Sequence, residues 1–308
     1  MQLKMRNQID EIIRRIFCEK YFVRKQLLKL FVDFFSDKRY LEKLFFYRVG
    51  YHPNIDHPRS FNEKLQWLKL HDKKAEYTQM VDKAEAKKYV ASIIGKGHII
   101  QTIAIYDSVD DIIFEPLPQQ FVMKCTHNSG GIVVCKDKSK LNRQKALKKL
   151  RNGWNNNYFK LNKEYPYKDV PKRVILEEFI SGSNNQDLID YKIHCFNGKP
   201  KVILVCKDRY SPSGLTEDFY DCEWNHLNIS RPKHPNAKST ESRPQNLDEM
   251  LSIASKLSQN IPFVRVDLYN VDGKIYFGEL TFFPASGMTA FVPKEWDYKL
   301  GEWLNLPL

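Results

Sequence analysis

Hydrophobic residues recur every three or four positions through roughly the first hundred residues and every second position afterwards, a change of period that separates a helical part from a stranded part. Ile9, Ile12, Ile13, Ile16 and Phe17 fall at helical spacing, with Arg14, Arg15 and Lys20 across from them. Ser60-Phe-Asn-Glu63 is a capping box that opens a helix burying Leu65, Trp67 or Leu68, and Leu70. Asp82-Lys-Ala-Glu85 opens another, running to Gly95. After Pro116 and Pro118 the strands begin: Phe121–Cys125 and Ile132–Lys136, then Arg173–Gly182, then a hairpin over Asp190–Val205 turned at Asn197-Gly198. Residues 208–244 show little periodicity and read as one long loop. Asn246-Leu-Asp-Glu249 caps a helix burying Met250, Leu251, Ile253, Ala254 and Leu257, and Trp296, Tyr298, Leu300 and Trp303 pack a C-terminal segment back onto the fold.

The last hairpin, Phe263–Pro284 about Asp272-Gly273, places charges inside an apolar pattern. Alternation puts Arg265, Asp267 and Tyr269 on one face and Phe277, Glu279 and Thr281 on a face of the partner strand. A two-residue turn pairs 267 with 278 and sends the carboxylates to opposite faces; a three-residue loop with a bulge pairs 267 with 279 and brings them together. The second register suits Mg2+, which takes oxygen ligands and shares them with phosphates. The first leaves an Arg–carboxylate pair in an ordinary sheet. The hairpin alone favours that plainer reading.

Charge narrows the partners. The formal net charge is +12, and residues 1–50 carry twelve Lys/Arg against six Asp/Glu. That excess points to nucleotide phosphates, nucleic acid, an acidic glycan or an anionic membrane. The basic helix near the N-terminus either docks on its own protein or lies on a membrane surface, so residues 1–30 are a candidate for peripheral contact. No run reaches the length of a membrane span, and the charged N-terminus lacks a signal-peptide core. The six cysteines show no zinc spacing, which fits reduced thiols in a cytoplasmic protein.

Between the first two strands lies Thr126-His127-Asn128-Ser129-Gly130-Gly131, small and polar enough for backbone N–H groups to approach phosphates, with Lys124 on the strand before it. It is not a GxxxxGK[ST] loop, and a glycine turn alone says little. Glu177-Glu178-Phe179-Ile180 ends the next strand, and Lys192 and His194 share a face of the one after it.

Taken in order, these parts resemble the ATP-grasp superfamily, and within it the TupA-like ATP-grasp family, from Ser60-Phe-Asn-Glu-Lys-Leu-Gln-Trp67 to Leu300-Gly301. The resemblance implies an α+β ATP-grasp fold, two α+β subdomains clamping ATP between antiparallel sheets, preceded by a mainly helical N-terminal region. It divides the chain into a basic helical extension (1–45), a helical domain (46–117), a small lobe with the glycine-rich loop (118–183) and a large lobe with the metal site (184–308). It implies that Lys124 holds ATP phosphates beneath the Asn128-Ser129-Gly130-Gly131 loop. Glu177, Glu178, Phe179 and Ile180 form the adenine hinge, with a glutamate near the exocyclic amine. Lys192 contacts phosphates, and Asp190, or Asp187, meets the ribose. Asp267 and Glu279 ligate Mg2+, Thr281 stands where related ligases usually carry Asn and is a weaker ligand, and Arg265 sits beside the transferred phosphoryl group.

The implied activity is an ADP-forming, ATP-dependent carboxylate–amine ligase that makes an amide through an acylphosphate. Its expected substrates are a small amine and an acidic sugar (free, nucleotide-linked or polymeric) in capsular or cell-surface polysaccharide synthesis, in the cytoplasm or at the inner membrane face. Two rivals stand beside it. A glycosyltransferase would carry an Asp-x-Asp metal motif, and none occurs. A noncatalytic module for an anionic ligand would gather basic residues and exposed aromatics into one patch, whereas here they are spread along the chain; nucleic acid is not an expected partner.

Overall fold

The computed structural model describes residues 28–29, 32–182, 188–209, 211 and 214–307. The expected helix over Ile9–Phe17, nearly all of the candidate membrane segment 1–30, and Asp187 lie outside the described residues. Helices are α1 (Asp37–Val49), α2 (Phe61–His71), α3 (Glu76–Val81), α4 (Glu85–Ile94), α5 (Arg143–Trp154), α6 (Tyr158–Asn162), α7 (Leu247–Leu257) and α8 (Glu295–Trp303). Strands are β1 (Thr102–Tyr106), β2 (Phe121–Cys125), β3 (Ile132–Cys135), β4 (Val174–Glu178), β5 (Asp190–Phe196), β6 (Lys199–Lys207), β7 (Thr216–Tyr220), β8 (His226–Leu227), β9 (Phe263–Val271) and β10 (Lys274–Thr281). Among the described residues no helix is long and apolar enough to cross a membrane.

The strands form two antiparallel sheets, one of four in the order β1-β4-β2-β3 and one of six in the order β10-β9-β5-β6-β7-β8. One face of the small sheet buries Phe121, Met123, Val133 and Leu176 against Ala146 and Leu150 of α5. Its other face turns Val122, Lys124, Val134 and Glu177 toward a cleft shared with the large sheet. The capping box of α2 forms as expected: Ser60 Oγ accepts from Glu63 N at 3.2 Å and Glu63 Oε2 from Ser60 N at 3.1 Å. Phe61, Leu65 and Leu68 of α2, with Tyr77 and Val90 from α3 and α4, enter the same core as Ile193, Leu204, Val266 and Leu257 of the large lobe. Residues 61–94 are thus part of the large lobe's core, although they lie far from it in sequence.

Several expected elements are corrected. Strand β1 precedes residue 118, so the small sheet draws on residues from both sides of that boundary. Helix α4 begins at Glu85, because Asp82 Oδ1 accepts from Ala84 N (2.9 Å) in a turn before it. Asn246 makes no side-chain cap on α7; its amide instead donates to Gly273 O at 3.0 Å, tying the helix to the last hairpin. The 208–244 stretch contains β7, all five of whose residues are buried. Its Glu217 is clasped by Arg231, with Nε at 2.6 Å, and His226 Nε2 lies 3.1 Å from Asp218 Oδ1. Paired buried carboxylates hid the strand from a hydrophobic pattern.

His194, 6% exposed on β5, has Nδ1 3.1 Å from Lys192 O. Burial, then Arg265 and Arg231, push its imidazole down to about 3. The folded state therefore binds fewer protons than the unfolded state below the ordinary histidine value near 6.5, and stability is lost as pH falls. Between pH 6.5 and 5 this costs about 2 kcal/mol. Urea unfolding at the two pH values should show a drop of that order, and His194→Gln should flatten it; equal slopes in both proteins would show that another group carries the loss.

Candidate active site

Three strands carry the floor of the cleft. Lys192 on β5 lies opposite Asp267 on β9, which lies opposite Glu279 on β10; one row along, His194, Arg265 and Thr281 are aligned in the same way. The turn at Asp272-Gly273 has two residues, both left-handed (φ 51° and 82°), so the turn alone would have separated the carboxylates. A bulge between Phe277 and Glu279 shifts the register by one residue and brings Glu279 opposite Asp267. Gly278 makes that possible: a Cβ there would lie 3.0 Å from Asp267 O and 3.2 Å from the Tyr269 ring. The carboxylates share a face as the metal reading requires, but the displacement comes from within β10 and not from a longer loop.

Asp267, 3% exposed, is surrounded by cations. Arg265 Nε donates to Oδ1 at 2.6 Å and Nη2 to Oδ2 at 2.7 Å, and Lys192 Nζ donates to Oδ2 at 2.5 Å. Arg265 Nη2 also reaches Thr281 Oγ1 (3.0 Å) and Glu279 Oε1 (3.3 Å), while Thr281 Oγ1 donates to Glu279 Oε1 at 3.1 Å. Burial opposes the charged forms of Arg265 and Lys192, yet the Asp267 carboxylate raises both above their ordinary values. Asp190, expected at the ribose, accepts from Arg209 at 2.7 Å and lies 3.6 Å from Lys192.

The opposite wall is built by the small sheet. Lys124 Nζ lies 2.6 Å from Glu177 Oε2 and Lys87 Nζ 2.5 Å from Oε1. Burial works against the Glu177 carboxylate, and the two ammoniums outweigh it to hold it below the ordinary range. Its side chain is thus paired with Lys124 and Lys87, which leaves Glu178 as the glutamate of this segment whose side chain is exposed. Glu178, exposed at the strand end, lines the cleft with Phe179 and Ile180.

The glycine-rich loop is held from behind. Asn128 is fully buried; its Oδ1 accepts from Gly130 N at 2.9 Å and its amide donates to Gly153 O of α5. Asn128 therefore shapes the loop, leaving Ser129 exposed at its tip and Gly130 and Gly131 on the cleft. A Cβ on Gly153 would lie 2.7 Å from Gly131 Cα, so two glycines permit this helix–loop approach. His127 Nε2 lies 3.2 Å from Trp154 O, the position of a loop histidine.

The cleft encloses about 750 Å3, enough for a nucleotide. Sequence reasoning missed Lys83, Lys87 and Arg209. Lys83 donates to Asn128 O at 2.6 Å, and Lys83 and Arg209 line the cleft. No local pattern could reveal Lys83 or Lys87, because the residues that tie them to the cleft, Asn128 and Glu177, are 45 and 90 residues away. Among the described residues no group of three or more His, Cys, Asp or Glu gathers as a metal cluster. The two carboxylates at Asp267 and Glu279 are hard oxygen donors of the kind Mg2+ uses when phosphates complete its shell, so the residues fit that ion.

These features are those of an ATP-grasp protein, and a family model for TupA-like ATPgrasp matches residues 63–305. The chain belongs to the TupA-like ATP-grasp family. No curated protein matches it significantly. Among solved structures it is distantly similar to the D-alanine–D-alanine ligase of Bacillus anthracis complexed with ATP (16% identity, 66% of this chain and 54% of that one, TM-score 0.38). It is similar also to the D-alanine–D-alanine ligase of Helicobacter pylori (15%, 73% and 61%, 0.39) and to ATP-grasp ligase PsnB complexed with minimal precursor, Mg and ADP (9%, 72% and 57%, 0.36). The chain spans 54 to 61% of the length of the first of these structures.

Proposed function

We propose that the protein is an ATP- and Mg2+-dependent, ADP-forming ligase that joins a small amine to the carboxylate of an acidic sugar in the cytoplasm, for cell-surface polysaccharide. The observation that carries this reading is the bulged register that sets Asp267 beside Glu279, with Arg265 and Lys192 on one side of the cleft and Lys124 on the other. Asp267 and Glu279 would hold the metal, which would supply neutralisation of charge on the phosphates. Lys124 and Lys192 leave their carboxylates to grip the phosphate oxygens, and the backbone of Ser129–Gly131 closes over them. Arg265 faces the phosphoryl group as it moves. The substrate carboxylate oxygen attacks the γ-phosphorus and ADP leaves; the amine nitrogen then attacks the acyl carbon, inorganic phosphate departs and the amine gives up a proton. The clamp keeps water from the acylphosphate between the two steps.

The test has two stages. ADP should raise the melting temperature, more so with Mg2+, and a panel of uronic acids and amines with Mg-ATP should give one amide product by mass together with ADP and phosphate. Unchanged melting in every condition would remove the nucleotide site. A sugar–sugar product formed without ATP consumption would favour a glycosyltransferase instead.

A further inference from the structure

Basic residues occur along the whole chain, as expected, but one run of them is far denser than the rest. Residues 136–151 contain eight Lys/Arg against a single Asp, a net +7 out of +12 in sixteen residues. They run from the end of β3 through most of α5, and Lys136, Lys140, Arg143, Lys145, Lys148, Lys149 and Arg151 are exposed. Lys136 has a partner of its own, and Arg143 is offset by Glu115 at 2.6 Å, Arg151 by Asp110 at 2.6 Å and Lys140 by Asp137 at 3.4 Å. Among the described residues Lys145, Lys148 and Lys149 have no carboxylate within ion-pair distance, and they stand at i, i+3 and i+4 on one side of the helix.

Folding does not call for this arrangement. Helix α5 is anchored by Ala146, Leu150 and Gly153 on its other side. Like charges at helical spacing repel, and Arg143 and Lys145 place positive charge at the positive end of the helix dipole. The first turn carries no acidic residue to offset them. The helix thus holds its lysines at some expense of its own stability. Lys149 and Lys136 also line the nucleotide cleft, so the basic face opens onto it.

We infer that this face binds a polyanionic glycan, and that the acidic-sugar substrate is a residue of a polymer and not a free monosaccharide; the inference rests on the ligase reading for what the cleft does. Successive turns of the helix present ammoniums about 5 Å apart, the scale of one sugar ring, so a chain bearing one carboxylate per ring meets several at once. The exposed residues of α5 are Arg143, Gln144, Lys145, Lys148, Lys149, Arg151 and Asn152, with no apolar group to enter a bilayer. A membrane-surface helix needs such a group, which favours a soluble polyanion as the occupant.

The test compares depolymerised polygalacturonate, galacturonate and phosphatidylglycerol vesicles on the full chain. Polygalacturonate should bind with an affinity that falls steeply with salt, and galacturonate should bind at least ~100-fold more weakly. Lys140/Lys145/Lys148→Gln should weaken polymer binding ~10-fold or more, with the Mg-ADP melting shift unchanged. Lys233/Lys238/Lys256→Gln, which removes the same charge from exposed positions elsewhere, should have a much smaller effect. Equal binding of polymer and monosaccharide, equal loss in the two triple variants, or vesicle binding that depends on Lys145 and Lys148 while polymer does not bind would each overturn the inference. A polymer result of either sign leaves the ADP melting shift to judge the ligase reading separately.

Discussion

Asp267→Asn is expected to abolish the Mg2+-dependent part of nucleotide binding and to lower the stability of the free protein by about 3 kcal/mol. The first effect follows from its place opposite Glu279: Asn offers one neutral oxygen where a hard divalent ion needs an anionic one. The second follows from its neighbours. Asp267 accepts two bonds from Arg265 and one from Lys192, and its own side chain is 4% exposed. Without the carboxylate, a guanidinium remains in a buried site beside the half-buried Glu279, and an ammonium beside Asp190, which is 3.6 Å away and shared with Arg209. Urea unfolding reads the stability, and Lys192→Met added to Asp267→Asn should recover part of it by removing one of the stranded charges. A single variant as stable as the parent would mean that the cations are compensated by something other than Asp267.

Lys192→Met alone is expected to act in two opposite directions. In the parent protein both oxygens of Asp267 are engaged, so a divalent ion arriving without nucleotide meets Glu279 as its one available carboxylate. Removing the ammonium takes one of the two donors from Oδ2 and leaves it only Arg265 Nη2, so Mn2+ binding without nucleotide, followed by electron paramagnetic resonance, should become measurable. ADP binding should fall by about 10-fold or more, the loss of one charge-assisted phosphate contact. The parent binding Mn2+ as tightly without ADP as with it would contradict the idea that nucleotide phosphates draw Lys192 away and so complete the metal site.

Residues with distinctive chemistry in a distinctive order were legible from sequence. Lys124, the Asn128–Gly131 loop, Lys192, Arg265, Asp267 and Glu279 fall within reach of one cleft, apart from Asn128, whose side chain turns inward to hold the loop. Glu177 was legible as a strand-end acid but its ion pairs were not, since Lys124 comes from neighbouring β2 and Lys87 from α4, far away in sequence. Strand β1 was missed because it is short and two of its apolar residues, Ile103 and Ile105, are exposed at a sheet edge. Strand β7 was missed because its buried residues include Glu217 and Asp218, acceptable inside only because Arg231 and His226 meet them.

The sequence by itself determined most of the groups that the strands bring to the cleft, because side-chain chemistry and strand alternation are local properties; Lys83 and Arg209 came only with the tertiary structure. Whether Asp267 and Glu279 face each other was not local. Asp272-Gly273 encodes a two-residue turn, which would have sent them to opposite faces. The decision rests on one inserted residue at Gly278, tolerated because no Cβ meets the Asp267 carbonyl. That shift is registered only when β10 pairs with β9 and β9 with β5, and Lys192 is then carried opposite Asp267. Lys83 likewise reaches the cleft, and Lys87 the Glu177 carboxylate on its wall, only because the large-lobe core holds α4 and the turn before it in place.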